Sequence, residues 1–191
     1  MPDFNPCPSQ TVGPFFHLGL TANPALGSMA RAGAVGERIE LAIRVYDGDG
    51  QPVPDAMIEL WQADAAGKYR HPEDTLPIAP DPAFCGFGRL PTDNCGACRF
   101  ETVRPGRVPG LDGAFAAPHI NVHVFARGVL WHLFTRIYFA GDPANAEDAI
   151  LALAPADRRD TLLARCDPGI PGLWSFDVHL SGERETVFFD A

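Results

Sequence analysis

The chain is poor in positive charge: 15 lysines and arginines stand against 24 acidic residues, leaving a formal charge of −9. That balance repels phosphate backbones and anionic bilayer surfaces, so neither nucleic acid nor a membrane is an expected partner. No apolar run approaches the ~20 residues that a spanning helix needs. The opening Met1-Pro2-Asp3-Phe4-Asn5-Pro6 lacks the basic start and apolar stretch of a secretory leader, and a cytoplasmic protein is expected. Five cysteines, an odd number scattered along the chain, do not make a disulfide framework. Cys95-Gly96-Ala97-Cys98 has a metal-like spacing, but no second pair completes a zinc set, and the segment reads as a turn feeding a strand. There is no Walker or dinucleotide fingerprint, no internal repeat and no heptad.

What is present is enough apolar residue, 46% of 191, to bury one substantial core. Ile39, Leu41, Ile43 and Val45 alternate with Glu40, Ala42 and Arg44, the period of a half-buried strand, and Asp47-Gly48-Asp49-Gly50 supplies a turn. Further strands are expected at 57–62, 99–104, 119–125, 130–139, 174–180 and 185–189. Nineteen glycines and nineteen prolines suit the connections between them. Helical interruptions are expected near 145–153 and from Pro155 onward, with Leu162 and Leu163 as apolar contacts. The prolines at 72, 77, 80 and 82 exclude a central strand from 71–87, which reads as an ordered loop. The fold class is therefore mainly β, a single-domain β-sandwich with short helices and long Pro-rich loops. Residues 1–30 read as an N-terminal arm without strong local structure, and 31–191 as the sandwich.

Candidate chemistry gathers on one segment. Residues two apart on a strand face the same way, so His119, Asn121 and His123 share a face opposite Ile120, Val122 and Val124. Phenolate and imidazole suit a hard metal ion, whereas an amide is a poor ligand for one. A cage of His119, His123, Tyr69 and Tyr138 is weak, because residues four apart on a strand lie about 13 Å from each other. On residue chemistry alone, His119 reads as hydrogen-bonded structure rather than as a ligand, and Tyr46 and Tyr138 as buried hydroxyls.

Several segments taken together carry a resemblance. They are Pro8-Ser9-Gln10-Thr11-Val12-Gly13-Pro14-Phe15-Phe16, Val45-Tyr46-Asp47-Gly48, Trp61-Gln62-Ala63-Asp64, Gly67-Lys68-Tyr69-Arg70-His71, Ala117-Pro118-His119-Ile120-Asn121, Phe125-Ala126-Arg127-Gly128 and Arg136-Ile137-Tyr138-Phe139. The sequence resembles the intradiol ring-cleavage dioxygenases, which hold Fe(III) with two tyrosines and two histidines. Tyr69 and His119 stand at two of those positions, while Val108 and Asn121 stand at the other two. Gly110, Ala116 and Arg136 replace a tryptophan, an arginine and a glutamine of the catalytic pattern.

The resemblance therefore implies vestigial metal positions at Tyr69, Val108, His119 and Asn121, and no catalytic residue or iron in this chain alone. It implies a subunit of a heteromeric enzyme whose β subunit binds Fe(III) and whose substrates are protocatechuate and O₂, the product being 3-carboxy-cis,cis-muconate. Thr11, Gly13, Pro14 and Arg127 would then wall the substrate pocket of the β subunit, and the 1–30 arm would contact it. Two other readings stay open: a prealbumin-like binding or scaffold sandwich, and a self-contained dioxygenase with unusual ligands.

Overall fold

The computed structural model describes residues 8–110 and 113–190. Ten strands follow in chain order: β1 (Arg38–Tyr46), β2 (Met57–Trp61), β3 (Phe87–Pro91), β4 (Ala97–Val103), β5 (Val108–Pro109), β6 (Phe115–Ala116), β7 (His119–Phe125), β8 (Leu133–Phe139), β9 (Leu163–Cys166) and β10 (Leu173–His179). Eight of them form one continuous sheet in the order β3-β2-β7-β8-β9-β10-β1-β4, and β5 pairs with β6 in a separate ribbon. The sheet folds over on itself at β9, whose register holds only Leu163 and Ala164 against β8 and only Arg165 and Cys166 against β10.

The two halves close on a shared core, and the alternation of β1 shows why. Ile39, Leu41, Ile43 and Val45 are all buried. Across from them in one contiguous cluster lie Ile58, Leu60, Ile120, Val122, Val124, Ile137 and Phe139, from β2, β7 and β8. Each such side chain removed from water contributes roughly 1.5–3 kcal/mol, so this period-2 pattern is the main determinant of the sandwich. A smaller cluster of Ala117, Tyr138, Ala144, Leu151, Ala154 and Leu162 lies beside it.

Several expected elements take a different form. The 145–153 helix is two 3₁₀ turns, Pro143–Glu147 and Leu151–Leu153, split where the Asp148 carboxylate captures the amides of Ile150 and Leu151. The segment after Pro155 holds a 3₁₀ turn, Arg159–Leu162, and then becomes β9; β9 and β3 are additional to the expected strands. The 130–139 strand starts only at Leu133, leaving Leu130 and Trp131 exposed in the preceding loop. Residues 185–189 make no regular ladder. The Thr186 hydroxyl accepts from the His179 amide, the Thr135 hydroxyl donates to Val187 O, and Phe189 bridges Phe134. Side chains thus supply much of the pairing that a strand would take from backbone. The arm, expected without local structure, includes the helix α1 (Pro14–Leu20). Among the described residues no helix is long and apolar enough to cross a membrane.

Candidate functional site

Tyr69 is positioned by the loop that follows β2, and that loop is built around charge. Asp64 is buried; its Oδ1 accepts from the amides of Ala66 and Lys68 at 2.9 and 3.0 Å and its Oδ2 from Asp81 N at 3.0 Å. Lys68, the sole lysine of the chain, is also buried and donates to Asp74 O, Asp74 Oδ1 and Leu76 O. The other Asp74 oxygen accepts from Tyr69 N at 2.7 Å. A buried ammonium needs such saturation, because an uncompensated charge away from water is very costly. Gly67 has φ +81°, and a Cβ there would lie 2.0 Å from Arg107 O. Only glycine lets the Tyr69 loop pass this close to the backbone leading into Val108.

The Tyr69 side chain stacks on Trp61, with centroids 5.9 Å apart, and Val108 lines the same groove. Asn121, paired with Trp61 across the β2–β7 ladder, donates from Nδ2 to Trp61 O at 3.3 Å and to Tyr69 Oη at 3.4 Å. A carbonyl can only accept, which fixes the amide with its NH₂ group, not its oxygen, toward Tyr69. His119 is buried two residues earlier on the same face, with Nδ1 2.8 Å from Ala117 O, a contact that puts the proton on Nδ1. Its neighbour Tyr138 donates to Asp148 Oδ1 at 2.9 Å, and Asp148 Oδ2 accepts from Ala117 N at 2.8 Å. The four expected positions Tyr69, Val108, His119 and Asn121 thus fall in one region around β2, β7 and β8.

Arg136 is the cation of this region. It lies opposite Asn121 in the β7–β8 register, and its charge acts on Tyr69, His119 and Tyr138 alike. Burial pulls the His119 imidazole down to about 4, and the Arg136 guanidinium adds to that shift. Burial raises the Tyr69 phenol, while the Asn121 hydrogen bond and Arg136 oppose the rise. Burial and the Asp148 carboxylate push Tyr138 upward in the same way. For Asp148 burial works toward a neutral acid, but the amides of Leu151 and Ala117 and the Tyr138 hydroxyl outweigh it and hold the carboxyl below its usual range.

This donor set does not fit ferric iron. Of the four positions, one is an aliphatic side chain, one presents amide N–H, and a guanidinium stands beside them. Among the described residues no three histidine, cysteine or acidic side chains converge as a metal site either. The Cys95–Cys98 segment is the expected turn: Asp93 Oδ1 accepts from the amides of Cys95 and Ala97. The Cys98 thiol is pushed up to about 12, by burial first and then by Asp93, which makes it a poor nucleophile or ligand.

The second group of expected residues meets elsewhere. Thr11 Oγ1 accepts from Gly128 N at 2.8 Å, tying the arm to the loop after β7. Pro14 opens α1, where its missing N–H costs nothing. The Phe16 ring lies 5.4 Å from Phe125. Between arm and sheet runs a groove of about 400 Å³ lined by Val12, Gly13, Phe16, Leu18, Asp55, Met57 and Arg127. Arg127 is exposed and has no ion-pair partner among the described residues. Asn121 and Phe125 are four residues apart on β7, about 13 Å, so the arm groove and the Tyr69 region are separate places.

Sequence reasoning did not single out Asp148 or the Asp64–Lys68–Asp74 network. A signal existed for the second: an Asp followed by a Gly and a Lys within five residues is an Asx-type turn. None existed for Asp148, whose role depends on Tyr138 and Ala117 arriving from other elements.

A family model described as Dioxygenase matches residues 12–170, and the chain belongs to this family, the intradiol dioxygenases. It is similar to the protocatechuate 3,4-dioxygenase alpha chain of Burkholderia cepacia, at 44% identity over 96% of either chain. The beta chain of the same enzyme and organism is 36% identical over 93% of this chain and 77% of its own. Among solved structures, the dioxygenase domain of a carbohydrate-binding fusion from Streptomyces sp. SirexAA-E superposes with a TM-score of 0.63 at 26% identity, covering 93% of this chain and 99% of that one.

Proposed function

We propose that this chain is the alpha-type subunit of a protocatechuate 3,4-dioxygenase, and that it acts by walling a substrate pocket whose iron belongs to a beta-type partner. The observation that carries this reading is the combination of end-to-end similarity to an alpha chain with a ligand region reduced to Tyr69 and His119 and neutralised at Val108 and Asn121. The alternative of a self-contained enzyme lacks a donor set. The scaffold alternative leaves unexplained an arm groove lined by an exposed arginine that has no ion-pair partner among the described residues.

In the complex, protocatechuate and O₂ would be converted to 3-carboxy-cis,cis-muconate, and Fe(III) held by the partner would supply Lewis-acid chemistry toward the catechol. The work of this chain is to bind and orient. Arg127 offers a fork of charge-assisted donors matched to a carboxylate. Gly13 lets backbone approach the ring closely. Thr11 holds the arm on Gly128, so the loop that presents Arg127 is fixed before substrate arrives, which lowers the ordering cost of binding. The described part of the 1–30 arm, residues 8–30, packs on the partner and helps to exclude water, while residues 1–7 lie outside the described residues.

The test is to purify this chain, a beta-type partner and their co-expressed mixture, and to measure iron and protocatechuate-dependent O₂ uptake for each. Iron and turnover are expected in the mixture, with neither in this chain alone. Stoichiometric iron and turnover in the isolated chain would refute the assignment.

A further inference from the structure

The loss of two ligands is one way to empty a metal site, and an added cation is another. This chain carries both. Arg136 faces Asn121 across the β7–β8 ladder and lies close enough to Tyr69, His119 and Tyr138 to bias all three electrostatically. Nevertheless it joins no ion pair among the described residues, and its Nε is buried without a hydrogen-bond acceptor. The two carboxylates of the neighbourhood are engaged elsewhere: Asp148 with Tyr138 and backbone amides, Asp74 with Lys68 and Tyr69 N. The groups its charge acts on are neutral: the Tyr138 hydroxyl, with which it shares a hydrogen bond, the Tyr69 hydroxyl, and the His119 imidazole, whose Nδ1 is committed to Ala117 O.

We propose that Arg136 is the resident cation of this region, and that it bars a multivalent metal independently of the missing ligands. Neutral oxygen and nitrogen lone pairs attract positive charge, and a partly buried guanidinium with no carboxylate of its own gains by lying among them. A trivalent ion brought among the same atoms meets a fixed like charge at short range and in a medium less polar than water. Restoring the ligands is therefore insufficient; the guanidinium must also go. This inference deepens the reading that the chain holds no iron, since it names a second, separable cause.

The experiment compares the unmodified chain, V108Y/N121H, and V108Y/N121H/R136Q, each refolded or expressed with ferrous iron and air. Iron per chain and the visible absorption of phenolate bound to Fe(III) are the readouts, with far-UV circular dichroism as the check on folding. The ligand-restored double variant is expected to remain nearly metal-free, and the triple variant to bind iron roughly 10–100-fold more tightly. Equal loading of the double and triple variants overturns the proposal, and so does a folded triple variant that stays metal-free. Iron in the unmodified chain would instead refute the functional reading above, so the two failures are distinguishable. Because a phenol at the buried Val108 position could disturb folding, a second comparison uses N121H with and without R136Q, titrated with Zn(II). A rise in affinity on removing the guanidinium is expected there, and unchanged affinity counts against the idea.

Discussion

Two regions of this molecule sit at opposite ends of β7 and have opposite character. At the His119 end, nearly every polar group finds its partner within the chain: Asn121 serves Trp61 and Tyr69, Asp148 serves Tyr138 and three amides, Lys68 serves Asp74. At the Phe125 end, Arg127 is exposed, and Leu18, Leu130 and Trp131 show 57–72% of their surface to solvent. Hydrogen bonds satisfied internally contribute to folding; an exposed arginine with no ion-pair partner among the described residues, beside exposed large apolar side chains, is what a partner or ligand can use. The comparison separates a region whose polar groups serve the architecture from one presented outward.

The contrast can be broken most forcefully at Lys68. Lys68→Met leaves the half-buried Asp74 without its ammonium and is expected to destabilise the chain by about 3 kcal/mol, read from urea unfolding. If the loss is under a third of that, the Tyr69 loop is not held by this charge.

Acid provides the next largest effect. The unfolded His119 ring titrates near 6.5 and the folded one at about 4, so below 6.5 the unfolded state binds the extra proton. Stability associated with this group is complete above that pH and falls as pH drops toward 4, by on the order of 3 kcal/mol. Unfolding midpoints between pH 7 and 4, measured for the native chain and for His119→Gln, should converge as the pH is lowered. Parallel curves would remove His119 from the account.

The outward region should respond in the reverse manner. Arg127→Ala is expected to change chain stability by less than about 0.5 kcal/mol, as at an exposed site. In the reconstituted complex the same substitution should raise KM for protocatechuate about tenfold, the worth of one charge-assisted contact, with kcat and iron content nearly unchanged. A change in kcat alone would move Arg127 from binding to some other role. The smallest expected effect is that of Thr11→Ala, which removes one hydrogen bond to Gly128 and about 1 kcal/mol. Faster amide exchange at Gly128 is its signature.

How much of this was legible in the sequence depends on distance along the chain. β1 and β7 are readable because their alternation is local and long. β9 was not, since each end of this short strand pairs with a different neighbour through only two residues, and nothing in Leu163-Ala164-Arg165-Cys166 announces that. Residues 185–189 alternate like a strand yet take much of their pairing from threonine hydroxyls. At the Tyr69 region, family positions located the four candidate residues, but Asn121 and Tyr69 are 52 residues apart, and the direction of the amide emerges only once Trp61 O is in place. Arg136 read as a simple replacement until its register opposite Asn121 gave its charge a location.

The single lysine has a practical corollary. With Lys68 only 7% exposed and its Nζ saturated by three acceptors, the folded protein offers amine-directed reagents no accessible ε-amino group. Succinimidyl esters and lysine-specific crosslinkers will therefore leave this side chain unmarked while the loop is closed. Modification at Lys68, followed over time by mass spectrometry, counts how often that loop opens.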